Sequence, residues 1–295
     1  MGSEMCIRDR RWLKDENDDL YDPGYADMLR VAFMSHFSRG RLADLVALLS
    51  GRNFEARTFE EEIAEQSFAT LKAGVAAFMS ETHFKRFVMI IKSAGFVTSH
   101  LLKSRQGALN FAYALYLKLV AQGYEAHLIE RFVRKWFVLG KLTGRYSGSA
   151  ETQMDGDIKE VDGRDFGEFL SSVEGTVLSD TFWSVVLVQE LKTSSQRNAA
   201  FQTFIAAQVR SQARGFLSKE ISVASMLLHR GDVHHIFPKA YLKKQLHLTQ
   251  AQYNQVANFV YVQQETNIRI ADAPPSQYFA CLLYTSPSPR DLSTS

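Results

Sequence analysis

The chain predicts an α+β fold that is predominantly α-helical: a helical domain followed by a small domain in which two short strands precede a C-terminally truncated helix. Three observations predict it. From about residue 28 to 142, apolar residues recur every three or four positions, the period of a helix with one buried face. At about residue 216 the character changes to short runs of β-branched and aromatic residues between turn formers. The 295 residues, 46% of them hydrophobic, suffice for about two domains with real cores.

Both ends are set aside before the elements are read. Residues 2–10 resemble the translation of a common transposase sequencing adapter, and residues 281–291 that of its opposite strand. Residues 1–10 are therefore expected to be an adapter artefact and 281–295 an adapter-derived tail, leaving a natural segment of roughly 11–280, cut at both ends. The only cysteines, Cys6 and Cys281, fall in those ends. Disulfides, thiolate-bound zinc and a cysteine nucleophile are thereby excluded from the natural segment. No apolar run reaches the roughly 18 residues of a membrane span, and no secretory signal opens the chain. A cytoplasmic protein without membrane contact is expected.

Residues 11–142 form the expected helical domain. An acidic, turn-rich start around Pro23-Gly24 leads into apolar stripes over roughly 28–50, 82–102, 107–121 and 125–139. Another stripe runs through Phe59, Ile63, Phe68, Leu71, Val75 and Phe78. Gly51, Gly107 and Gly123 punctuate the stripes. Trp136, Phe137 and Trp183 are read as core. Residues 143–215 read as a polar loop and linker, then helices near 166–174, 180–192 and 197–213. In the last region, 216–280, strands are expected near Ile221–Val223, Val233–Phe237 and Asn258–Val262. Leu242–Leu248 reads as a loop or short helix and Ala251–Val256 as helical; Pro274-Pro275 opens a final helix.

Charge is unevenly distributed although the net value is only +2. Residues 151–180 hold nine acids against two bases; residues 210–250 hold seven Lys/Arg against two acids, with four histidines. That basic stretch suits a polyanion or is an ordinary solvated face. It surrounds the most informative segment, Asp232-Val233-His234-His235-Ile236-Phe237-Pro238. A neutral imidazole can take a proton from water near neutral pH, and a divalent cation can bridge a phosphate and its leaving oxygen. Histidines beside an oxygen ligand such as Asn267 supply both needs. Adjacent strand residues point to opposite faces, so both histidines reach one site only if the strand bends or ends there, as Pro238 suggests. Strand, loop, strand and helix, with histidines on the first strand, outline a ββα-metal finger.

His234-His235-Ile236-Phe237-Pro238, with Asn258 and then Asn267 nine residues on, resembles the HNH (His-Me finger) nucleases. The resemblance implies His235 as general base and Asn258 as the residue orienting that base or its loop. It also implies His234 and Asn267 as ligands of one Mg²⁺ or Mn²⁺ ion. In the HNH domain of RNA-guided CRISPR effectors an acid stands where His234 stands here; colicin-type members use a His-His pair. Asp232 is a further metal-site candidate, orienting His234 from behind or only capping a turn. Arg145-Tyr146-Ser147-Gly148-Ser149, Phe216-Leu217-Ser218, Val256-Ala257-Asn258-Phe259, Thr266-Asn267 and Pro275-Ser276-Gln277-Tyr278 together resemble the C-terminal half of GmrSD-type, modification-dependent (Type IV) restriction proteins. That family joins an N-terminal nucleotide-using domain to the HNH-like part through helices. The N-terminal domain's Asp-Gly-Gln-Gln-Arg motif does not occur in this sequence, and no nucleotide hydrolysis is expected of it.

The expected function is metal-dependent hydrolysis of DNA phosphodiesters in a defence system acting on modified or foreign DNA. Lys239, Lys243 and Lys244 are candidate phosphate contacts, or simply solvated. Arg145-Tyr146 is a packing anchor or a nucleic-acid contact. His229 and His247 read as surface residues, and a zinc site of His229, His234 and His247 lacks cysteine support. The competing reading is a catalytically inactive DNA-binding or protein-interaction module that keeps the fold; RNA cleavage is a third. An oligomer is compatible with all of them.

Overall fold

A computed structural model describes residues 20–102, 106–229 and 231–284, with side chains through Ala280. The expectations for residues 1–10 and 285–295 lie outside the described residues. The chain divides into two compact units between Trp183 and Ser184.

The first unit is all helical. Its helices are α1 Tyr25–Phe37, α2 Leu42–Leu49, α3 Glu61–Phe78, α4 Glu81–Ser93, α5 Gln106–Ala121, α6 Ala126–Thr143, α7 Ala150–Gly163 and α8 Phe166–Val177. At its centre α5 is buried continuously from Ala108 to Leu119, because its sequence is apolar on nearly every face. Around it Tyr21, Phe84, Phe87 and Tyr113 pack ring on ring, with Phe87 stacked on Tyr113 at 4.5 Å. A second aromatic group joins Phe111, Trp136 and Tyr146. Helix α6 stops at Gly144, whose φ of 68° gives a left-handed cap.

The acidic stretch expected to be a linker is instead α7. Met154, Ile158 and Val161 recur at helical spacing and are buried. Its acids are held by other elements: Asp155 accepts from the Gly40 amide at 2.9 Å, and Asp157 is 3% exposed. Arg145 meets Asp157 with two bonds of 2.7 and 2.6 Å. Tyr146 donates to the same carboxylate at 2.8 Å and accepts from Trp136 Nε1 at 2.9 Å. Arg145-Tyr146 is thus the packing anchor of its two readings. Three residues expected in the core are exposed: Phe59, Phe68 and Trp183. Phe59 has Arg52 over its ring, while the buried face of α3 runs through Ser67, Gly74 and Phe78.

The second unit opens with the short helix α9 Leu187–Glu190 and with α10 Ala199–Arg210, α11 Val223–Leu228 and β1 Gly231–His235. It continues with α12 Lys239–Gln245, α13 Gln250–Tyr253, β2 Phe259–Gln263, α14 Gln264–Ile270 and α15 Pro275–Tyr284. Where one helix was expected near 180–192, a π-helical turn at Phe182–Val186 precedes α9. The strand expected near Ile221–Val223 is replaced by α11, because the Ser222 hydroxyl accepts from the Ser225 amide at 3.2 Å and caps a helix. β1 and β2 pair antiparallel, with His234 opposite Val260 and His235 opposite Phe259. Phe201 and Ile205 of α10, Met226 of α11, and Val262, Ile270 and Tyr278 form the core beneath the sheet. The Phe216 amide donates to the Tyr261 carbonyl at 2.8 Å, anchoring the preceding loop on β2. The last helix runs on through Tyr284, past the boundary expected for the adapter-derived tail.

The whole is α+β, predominantly helical with one two-stranded sheet. No helix among the described residues is long and apolar enough to cross a membrane.

Candidate metal and catalytic site

β1 ends at His235, and this ending lets two neighbouring histidines serve one place. His234 and His235 both line a cavity of about 480 Å³, together with Pro238, Lys239, Lys243, Lys244 and Asn267.

His234 is 6% exposed and is fixed by a chain of side chains from α14 and from its own strand. Its Nδ1 lies 2.6 Å from Asn267 Oδ1, and Asn267 Nδ2 donates to Asp232 Oδ2 at 3.4 Å. An ionised carboxylate only accepts, so Asp232 turns the amide nitrogen of Asn267 toward itself and the oxygen toward His234. His234 then carries its proton on Nδ1. Burial pushes the His234 imidazolium pKa down; the Asn267 bond opposes that, and the nearby His235 lowers it further. Burial thus disfavours the charged ring, and Nε2 is buried without a hydrogen-bond partner.

A histidine that ligates a metal commonly donates its other ring N–H to an oxygen acceptor, and that is the arrangement here. His234 would thus offer Nε2 to a divalent ion, while Asn267 and Asp232, expected as ligands, stand behind the ring on its Nδ1 side and orient it. No group of three or more His, Cys, Asp or Glu side chains placed for a metal occurs among the described residues. His229 and His247 are exposed, and the zinc trio they would form with His234 is not assembled.

His235 is held differently. Its Nε2 lies 2.9 Å from Asn254 Oδ1, and its ring meets Phe259 edge-on at 4.9 Å. Asn254 was not expected from sequence: it follows α13, and nothing in its spacing marks it. Asn258 makes no hydrogen bond to either imidazole. It accepts from the Phe237 amide at 2.8 Å and donates to the carbonyls of Phe237 at 3.0 Å and Tyr253 at 3.2 Å. Of the two roles the resemblance offered, this geometry holds the loop. Tyr278, quoted in the sequence pattern without a role, donates to the Ile236 carbonyl at 2.6 Å and lies edge-on to His234.

Lys239, Lys243 and Lys244 stand on α12 at the cavity wall, exposed. Lys239 Nζ lies over the Tyr253 ring, 5.8 Å from its centre, so its charge sits against an aromatic face. No protein-family model, curated protein or solved structure matches the chain.

Proposed function

We propose that this chain carries a metal-dependent endonuclease site that hydrolyses DNA phosphodiesters. The observation that carries the reading is the convergence of His234, His235 and Asn267 on one lysine-walled cavity at the end of β1. His234 would hold a divalent cation through Nε2, with Asn267 and Asp232 orienting its ring. When bound, such an ion would stabilise the charge developing on the phosphate and on the departing 3′-oxygen. An imidazole nitrogen among the donors favours Mn²⁺ over Mg²⁺. His235 takes the proton of the attacking water, as a neutral imidazole can. Lys239, Lys243 and Lys244 hold flanking phosphates, and Asn258 keeps the segment after His235 in place.

The sequence resemblance to HNH nucleases and to the C-terminal part of GmrSD-type restriction proteins supports modified or foreign DNA as the target, in a defence role. The test is nicking of supercoiled plasmid by the full chain with Mn²⁺, Mg²⁺ or a chelator. Metal-dependent nicking is expected, and His235→Ala should slow it by about 10²- to 10⁴-fold. A His235→Ala protein that nicks as fast as the parent overturns the reading.

A second reading rests on the closed bonding of His234, Asn267 and Asp232 to one another. Side chains committed to one another in this way suit a DNA-binding module that never loads a metal. Salt-sensitive binding with no cleavage under any cation would identify it.

A further inference from the structure

The geometry points to Asn254 as the positioning residue of His235, through a bond that fixes which ring nitrogen carries the proton. The proposal rests on the reading of His235 as the base. His235 Nε2 and Asn254 Oδ1 are 2.9 Å apart, and an amide oxygen only accepts, so the proton sits on Nε2. The lone pair is then on Nδ1, and only a ring nitrogen with a lone pair can take a proton from water. Without Asn254 a neutral imidazole divides itself between two tautomers, and its ring keeps only the Phe259 contact on β2.

Asn254 is itself well held. It ends α13, with its amide donating to the Gln250 carbonyl at 3.1 Å. The preceding carbonyl, of Tyr253, accepts from Asn258 Nδ2 at 3.2 Å. Tyr253 is buried at 7% exposure. Asn258 therefore ties the backbone bearing Asn254 to the segment that follows His235, and the amide oxygen is placed by two separate parts of the chain. A polar side chain held this way against one imidazole nitrogen does what carboxylate or carbonyl partners do for histidines in other sites.

The test compares the parent protein, Asn254→Asp and Asn254→Leu, uniformly ¹⁵N-labelled, free of metal and at a pH where His235 is neutral. Long-range ¹H–¹⁵N spectra assign the proton to one ring nitrogen. The expected result is a protonated Nε2 in the parent and in Asn254→Asp, whose carboxylate accepts the same bond, and a tautomer mixture in Asn254→Leu. Plasmid nicking on the same preparations should show kcat lowered roughly 10- to 100-fold in Asn254→Leu, with KM unchanged, and near-parental kcat in Asn254→Asp. A parent His235 with its proton on Nδ1, or a leucine variant with unaltered tautomer and rate, overturns the assignment. Should Asn254→Leu fail to fold, the parent and Asn254→Asp spectra still decide. If no protein cleaves under any metal, the nuclease reading fails, while the ring-nitrogen spectra still decide the role of Asn254.

Discussion

His234 Nδ1 and Asn267 Oδ1 stand 2.6 Å apart, although they belong to a strand and to a helix thirty-three positions later in the chain. The bond directs the remaining ring nitrogen of His234 away from Asn267 and leaves it without a partner. Asn267→Ala is expected to weaken Mn²⁺ binding about 10- to 100-fold, whether the amide acts as ligand or as support. Isothermal titration measures it directly. Equal Mn²⁺ affinity in the parent and in Asn267→Ala would remove both residues from the metal site.

The lysines of α12 are expected to act on phosphate rather than on bases. Lys243→Ala and Lys244→Ala should weaken binding to all DNA sequences alike. Each should reduce the slope of log K against log salt by roughly one. Fluorescence anisotropy across a salt series reads the slope. An unchanged slope in the double variant would make this wall a solvated face.

Asp157 neutralises Arg145 in the first unit, where their side chains are 4% and 14% exposed. Asp157→Ala leaves a buried guanidinium unpaired and should cost about 3–5 kcal/mol. Urea denaturation followed by tryptophan fluorescence is the measurement, since Trp136 bonds to Tyr146 in the same cluster. A loss within about 0.5 kcal/mol would place the pair among surface ion pairs.

Acid should destabilise the first unit through two carboxylates. Burial raises the pKa of Asp155, yet Lys159 and the Gly40 amide pull it below the usual carboxylate range; at Asp162, Lys118 and Ser38 likewise outweigh burial. A carboxyl depressed in the folded state contributes stability that is complete above its unfolded pKa of about 3.9. That contribution disappears as pH falls through the lower folded value. The Tm is expected to hold down to about pH 5 and to decline below about pH 4, less steeply in Asp155→Asn. A decline of equal steepness in that variant would exclude Asp155 as a source.

Much of the candidate site was legible in sequence because its signals are local. The His-His-Ile-Phe-Pro run gave β1, though the strand runs Gly231–His235 and ends two residues before the expected Phe237; Asn258–Val262 gave most of β2, and the paired prolines gave the start of α15. What was not legible depends on partners far along the chain. The acids of α7 look like linker residues until Gly40 and Arg145 are seen to hold them. Asn254 meets His235 only after α12 and α13 have folded the intervening chain back. The Ser222 cap was a readable signal, since a serine before an apolar run starts helices; the β-branched residues beside it outweighed it in the sequence reading. Phe68 failed as a core marker because apolar spacing alone does not say which face of α3 a neighbour covers, and Phe59 because it precedes α3, in an extended bridge with Arg52.

The grip of Asn258 on Phe237 has a kinetic side. β1 and β2 are not joined by a tight hairpin turn; residues 236–258 lie between them, including two helices. Closing so long a loop costs chain entropy before any strand pairing returns it, and pairings distant in sequence form slowly. The Ile236 amide bonds to the Asn258 carbonyl and the Phe237 amide to the Asn258 side chain, so both protons are shielded only once that loop has closed. The histidines are therefore expected to acquire their surroundings late in folding, and these two amides would be built-in clocks for that event, readable by hydrogen exchange with neither substrate nor metal present.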